Sequence, residues 1–164
     1  MTLSPHDEPA APMAMATATR QRWMAALARA PRARLEAAWA ALADPPAVTL
    51  LRPPEIGSAM VRGRTGGTGP RFNLGEVTLT RCSVSLPAVG GAPLIGHGYV
   101  AGRDRRHAEL AACFDALLQD PARHATLDAT LVTPLTEAQA AARRQAQAAA
   151  SASRVDFFTL VRGE

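Results

Sequence analysis

The chain has 164 residues, 18 basic and 14 acidic, and every basic residue is arginine because the sequence contains no lysine. That length fits one domain with a sizeable core and leaves no room for a comfortable second one. A net charge of +4 carried wholly by arginine says more about composition than about partners, and two isolated cysteines, Cys82 and Cys113, exclude both a disulfide framework and a four-cysteine metal site.

Residues 1 to 17 carry Pro5, Pro9 and Pro12 among alanines, with Asp7 and Glu8 and no basic n-region. They read as a disordered leader and not as a signal peptide. No apolar run approaches the roughly 18 residues needed to span a bilayer, so a cytoplasmic location without membrane attachment is expected. Residues 18 to 164 then form a single α+β domain.

In "TATRQRWMAALARA", Thr17 or Thr19 is placed to cap a helix whose Trp23, Leu27 and Ala30 share one face, with Met24 beside them. Pro31 stops it. "PRARLEAAWAALADPP" gives a second helix with Leu35, Trp39 and Leu42 on one stripe, ended by Asp44-Pro45-Pro46, so the two make an N-terminal helical hairpin. Five arginines and no acid lie between Pro9 and Leu35 (Arg20, Arg22, Arg29, Arg32, Arg34), which together with Arg62, Arg64 and Arg71 mark where an anion-facing surface should lie.

The period then changes from helical to two. "AVTLLR" (47 to 52) and "SAMVRG" (58 to 63) flank the turn-rich "PPEIG", and "LGEVTLTRCSVSL" (74 to 86) and "LIGHGYV" (94 to 100) come after them. They predict an antiparallel sheet of about four strands. In the longest, Val77 and Leu79 have one parity and Cys82, Val84 and Leu86 the other, which requires a bulge near Arg81 or burial on different faces at the two ends. Asp104 is placed to cap "RRHAELAACFDALLQ", whose Leu110, Phe114, Leu117 and Leu118 form a buried stripe that should lie on the sheet, and Asp120-Pro121 ends it. "LDATLVTPL" is ambiguous between strand and coil. Thr136 with Gln139 suggests a capping box for an alanine-rich helix from 137 to about 150, and Phe157, Phe158, Leu160 and Val161 form an apolar cluster that needs a surface to bury against. C-terminal helices are thus expected to pack on the sheet and on partners.

The stretch "VRGRTGGTGPRF" (61 to 72) is the strongest local signal. Glycines let backbone N–H groups face an anion, and flanking arginines can hold phosphate oxygens in pairs, which makes Arg62, Arg64, Gly66, Gly67, Thr68, Gly69 and Arg71 a candidate anion-binding set. A P-loop is excluded, because no lysine is present and the next element along the chain is a strand. The same residues equally describe a hairpin turn with arginines solvated at its tip, and the residues alone leave both readings open. His97 in "GHGY" and His107 in "RRHAE" are the histidines placed for general-base work, but no nucleophile elbow, HExxH or helix-spaced carboxylate pair accompanies them, so no catalytic residue and no metal ligand set is assigned. Only seven residues are Phe, Trp or Tyr, and most fall on buried stripes, which makes a free-standing basic nucleic-acid-binding module the poorer alternative.

Four blocks, "ATRQRWMAALARA" (18 to 30), "RTGGTGPRFNLGEVTLTR" (64 to 81), "GYVAGRDRRHAELAACFDALLQ" (98 to 119) and "ASRVDFFTLVRG" (152 to 163), resemble in order the PhnG family, the G subunit of the carbon-phosphorus lyase core complex of bacterial phosphonate breakdown. The resemblance implies a subunit without a complete active site of its own. It would act with the H, I and J subunits and the L protein in transfer of ribose 5-triphosphate from ATP to an alkylphosphonate with release of adenine. The resemblance further implies that the chain binds no cofactor directly, that ATP is a substrate of the complex, and that the iron-sulfur cluster belongs to the J subunit. It gives Phe157, Phe158, Leu160 and Val161 a use as interface.

Overall fold

A computed structural model describes residues 10–64, 68–87 and 92–152, with the backbone alone for 10–16. The protein is α+β. Helices α1 (Ala10–Ala28) and α2 (Arg32–Ala40) precede strands β1 (Thr49–Gly63), β2 (Phe72–Leu86) and β3 (Leu94–Ala101), and helices α3 (Arg105–Leu117), α4 (Pro121–Leu127) and α5 (Thr133–Ala152) complete the order. The sheet is antiparallel with strand order β1-β2-β3.

Three strands stand where four were expected, because the two predicted at 47–52 and 58–63 are one continuous β1. Pro53 and Pro54 do not turn the chain. Register shifts on β1 between Leu50 and Arg52 and between Arg52 and Glu55 absorb the two extra residues as bulges. Proline is tolerated there because β1 is an edge strand, whose outward N–H groups have no ladder partner to lose. The parity flaw in β2 also resolves differently from both expectations. No register shift occurs near Arg81 on the β3 side. Thr80, Cys82, Val84 and Leu86 form one buried face, while Val77 is exposed. The bulge in β2 lies farther out, between Asn73 and Gly75, where Gly75 takes φ 154°.

Helix α3 lies between the sheet and the N-terminal helices, so ten of its thirteen residues are buried. Gly96 and Gly98 set how closely it approaches: a Cβ on Gly98 would stand 2.1 Å from the Ala108 carbonyl oxygen, and one on Gly96 2.0 Å from that of Ala112. Asp104 caps α3 as its sequence foretells, accepting from the His107 N–H at 3.0 Å. From the other side Trp23, Ala26, Leu27 and Ala30 of the α1 region and Leu35 of α2 close the core, and Trp39 meets Phe114 edge-on at 5.8 Å. Helix α1 begins at Ala10, inside the stretch assigned to the leader, so neither Thr17 nor Thr19 starts it. The alanines at 10, 11, 14, 16 and 18 are strong helix formers.

The capping box at Thr136 is not used. Asp120 caps α4 by accepting from the Ala122 N–H at 3.0 Å, with Pro121 in the first turn, and α4 then runs through a π-helical turn (Asp128–Val132) directly into α5. Pro134 has no N–H to return to the preceding turn, and the wider π turn just before it accommodates that loss. Thr136 donates its hydroxyl to the Val132 carbonyl, and the Gln139 amide donates to the Ala26 carbonyl at 2.9 Å, tying α5 to α1.

Candidate interaction surface

The arginines of the first helices do not form an open basic face. Arg20 grips Asp115 with two hydrogen bonds, Nε to Oδ1 at 3.1 Å and Nη2 to Oδ2 at 2.7 Å. The same carboxylate accepts the Trp23 indole N–H at 2.8 Å and the His97 backbone N–H at 2.9 Å. Asp115 is wholly buried, and four donors are what allow a carboxylate to leave water. Arg22 pairs with Asp128, Arg29 with Gln139, and Arg32 with Glu36 and Asp104. The positive charge of this region is spent largely on joining helices to one another.

The histidines are likewise engaged. His107 is buried, and its Nε2–H donates to the Leu27 carbonyl at 2.8 Å, which ties α3 to α1. His97 lies on the sheet face away from α3, with Nδ1 2.9 Å from Ser83 Oγ. The nearby acid, Asp115, takes the backbone N–H of His97 and not its imidazole, so the pair is not extended into a triad. A concavity of about 530 Å³ lined by Arg20, Trp23, Gln119 and His124 has its polar groups engaged too, since His124 Nδ1–H donates to the Leu118 carbonyl. Among the described residues no three His, Cys, Asp or Glu side chains stand close enough to share a metal ion. Burial pushes the Cys82 thiol up to about 11 and the Cys113 thiol up to about 12, with Glu109 adding to both, so neither is an activated nucleophile.

What the structure leaves open is the sheet. All nine large apolar side chains exposed among the described residues lie on its strands: Leu50, Leu51, Ile56 and Met60 on β1, Phe72, Leu74 and Val77 on β2, Ile95 and Tyr99 on β3. Five of them fall on the outer halves of β1 and β2, which continue past the cover of α3 as a two-stranded arm without a single buried residue from Thr49 to Gly63. An isolated ribbon of this kind gains little stability from its own contacts, and a cluster of exposed apolar groups on it marks a place where another surface is to be met.

The glycine-arginine stretch is the connection at the tip of this arm. Arg62 is the last but one residue of β1. Arg64 donates from Nη1 to the Gly69 carbonyl at 2.9 Å across the turn, Gly69 takes φ 82°, and Thr68 and Arg71 are exposed beside it. The turn reading is therefore realised, and Arg62, Arg64 and Arg71 share one end of the arm. Gly66 and Gly67 lie outside the described residues, as do Phe157, Phe158, Leu160 and Val161. Two features were missed from sequence. Asp115 could have been flagged as an acid inside "AACFDALL", an otherwise wholly apolar run; the arm was hidden by reading β1 as two strands.

No described helix is long and apolar enough to cross a membrane. The arrangement is that of an α+β protein whose fixed polar groups hold it together and whose exposed sheet is available for association. The chain belongs to the PhnG family: residues 18–163 match the family described as phosphonate metabolism protein PhnG. Over 147 residues, covering 90% of this chain and 91% of the relative, it is 46% identical to the protein of Rhizobium meliloti (strain 1021) named alpha-D-ribose 1-methylphosphonate 5-triphosphate synthase subunit PhnG.

Proposed function

We propose that this chain is an accessory, structural subunit of the bacterial carbon-phosphorus lyase core complex. There it would support transfer of ribose 5-triphosphate from ATP to an alkylphosphonate with release of adenine, alongside the H, I and J subunits and the L protein. The observation that carries this reading is the arm, with Ile56, Met60, Phe72, Leu74 and Val77 exposed on a ribbon that its own helices do not cover. Such a surface suits a component of a larger assembly. On this reading the chain binds no cofactor itself, ATP is bound elsewhere in the complex, and the iron-sulfur cluster belongs to the J subunit. The protein works in the cytoplasm.

The test is co-expression with the other core subunits of the same system, followed by size-exclusion chromatography with light scattering. Co-elution as a large complex is the expected result. A monomer that ignores those subunits would sink the reading. Placement of Arg62, Arg64 and Arg71 at one end of the arm supports a second role for that tip, in which it faces the polyphosphate of a nucleotide held by a neighbouring subunit.

A further inference from the structure

The two edges of the sheet are treated differently. In an antiparallel ladder successive residues alternate in pointing their backbone N–H and C=O groups toward or away from a given neighbour. The Gly102 N–H donates to the Thr78 carbonyl at 2.9 Å, which continues the β2–β3 ladder. Even-numbered β2 residues from Thr78 to Leu86 therefore bond to β3, and odd-numbered ones to β1. On β3 the outward groups belong to Ile95, His97, Tyr99 and Ala101, and side chains occupy groups of the first two: Arg20 and Gln119 donate to the Ile95 carbonyl at 3.3 and 2.9 Å, and Asp115 accepts from the His97 N–H. That edge is closed along its first half.

The β1 edge is not. Gly57 and Ala59 pair with Leu79 and Val77 and direct their backbone groups inward, so Ile56, Ser58 and Met60 direct theirs outward. No described strand or helix lies along that side. The first half of β1 is protected by Pro53, Pro54 and two bulges, a common way of blunting an edge, but from Glu55 to Val61 the pairing runs without a shift and holds no proline and no lysine. We propose that this stretch is a strand-addition site, where an extended segment of a partner polypeptide pairs with Ile56, Ser58 and Met60 and extends the sheet. The proposal rests on the subunit reading above and names the kind of partner its arm takes.

Charge selects the occupant. From Thr49 to Leu86 the arm and sheet carry five arginines (Arg52, Arg62, Arg64, Arg71, Arg81) and two glutamates. Glu55 is already shared between Arg81 and Arg52, at 2.6 and 3.4 Å. A second copy of the chain paired antiparallel about Ser58 would bring the Arg62 and Arg64 end of each strand toward the Arg52 end of the other, where Glu55 is already held by Arg52 and Arg81, which disfavours self-pairing. The partner segment has apolar side chains that pack beside Ile56 and Met60, and a carboxylate at the end that reaches Arg62, since Arg64 is turned to the Gly69 carbonyl. Main-chain bonds supply the affinity and these side chains the choice of partner.

Amide hydrogen exchange of the full chain, alone and in the co-expressed complex, tests this without any variant. The amides of Ile56, Ser58 and Met60 should gain protection on assembly. Ser58→Pro, which removes an outward N–H and leaves the β1–β2 ladder bonded, should weaken assembly at least tenfold while far-UV circular dichroism stays unchanged, and Ser58→Ala should assemble like the parent. Equal exchange in both states, or undiminished assembly of Ser58→Pro, overturns the proposal. So does protection in the isolated chain that vanishes when residues 153–164 are removed, or that tracks a homodimer, because the edge would then be filled by this chain itself. If the parent chain joins no complex at all, the subunit reading fails first and the strand-addition site falls with it.

Discussion

The indole N–H of Trp23 donates to the carboxylate of Asp115 at 2.8 Å, across 92 residues of sequence. With Arg20 and the His97 backbone on the same carboxylate, one buried acid joins α1, α3 and β3. Asp115→Asn replaces a charged acceptor of four hydrogen bonds with an amide that turns a donor toward Arg20. The expected loss is about 3–5 kcal/mol, as for a buried pair deprived of one partner, and Trp23→Phe should lose only about 1–2 kcal/mol. Urea unfolding followed by tryptophan fluorescence for the first, and by circular dichroism for the second, measures both.

Gly98→Ala drives a methyl group against backbone, at 2.1 Å from the Ala108 carbonyl, where no rotamer change gives relief. Helix α3 must lift from the sheet, and the cost should be about 3 kcal/mol or more. Gly57 meets nothing within 4 Å, so Gly57→Ala should change stability by no more than about 0.5 kcal/mol. Thermal midpoints of the two variants should therefore fall on opposite sides of any reasonable threshold.

The raised thiols make a prediction about alkaline pH. Burial favours the neutral form, so Cys82 and Cys113 contribute stability in full below the ordinary thiol value of 9.0, and that contribution is lost as pH rises toward about 11 and about 12. The urea midpoint should fall as pH rises from about 9 toward about 11, and fall less in Cys113→Ala. At about pH 8 a thiol reagent should react slowly with the folded chain and fast once it is unfolded.

Leu74 is 60% exposed and Phe72 is 45% exposed, so replacing both with glutamate should leave the stability of the isolated chain within about 0.5 kcal/mol. If the arm is an interface, the same double variant should fail to co-elute with the other subunits. Retained assembly would move the interface elsewhere.

Arg64→Ala separates the two roles of the tip. Its hydrogen bond to the Gly69 carbonyl lies at the surface, so the fold should be unaffected and assembly retained. A reduced rate of ATP-dependent transfer in the assembled complex would support the polyphosphate-facing role. An unchanged rate would leave the loop as a turn.

Most elements could be read from the sequence where one physical signal acted alone. The stripe of Trp23, Leu27 and Ala30, the cap at Asp104 and the stop at Asp120-Pro121 each depend on local chemistry, whereas the short helix α4 that the same pair starts was not read. The failures occur where tertiary structure overrode a local signal. Pro53-Pro54 would end a central strand, but on an edge two bulges absorb them. Thr136 and Gln139 form a capping pattern, yet α4 and the π turn deliver the chain already helical and both side chains bond elsewhere. Of the candidate site, the glycine-arginine turn and its clustered arginines were legible. The exposure of the arm was not, because nothing in "EIGSAM" or "FNLGEV" says where α3 stops covering the sheet.

The Asp115 junction also bears on the order of events during synthesis. Arg20 and Trp23 emerge early, but their acceptor is made more than 90 residues later, an interval of about 5–20 s at ordinary elongation rates. For that time the apolar face of α1 has no carboxylate to lock onto and no α3 to lie against. The N-terminal helix must wait, and a chaperone that shields Trp23 and Leu27 until the third helix appears would act at the step where this nascent chain is most open to aggregation.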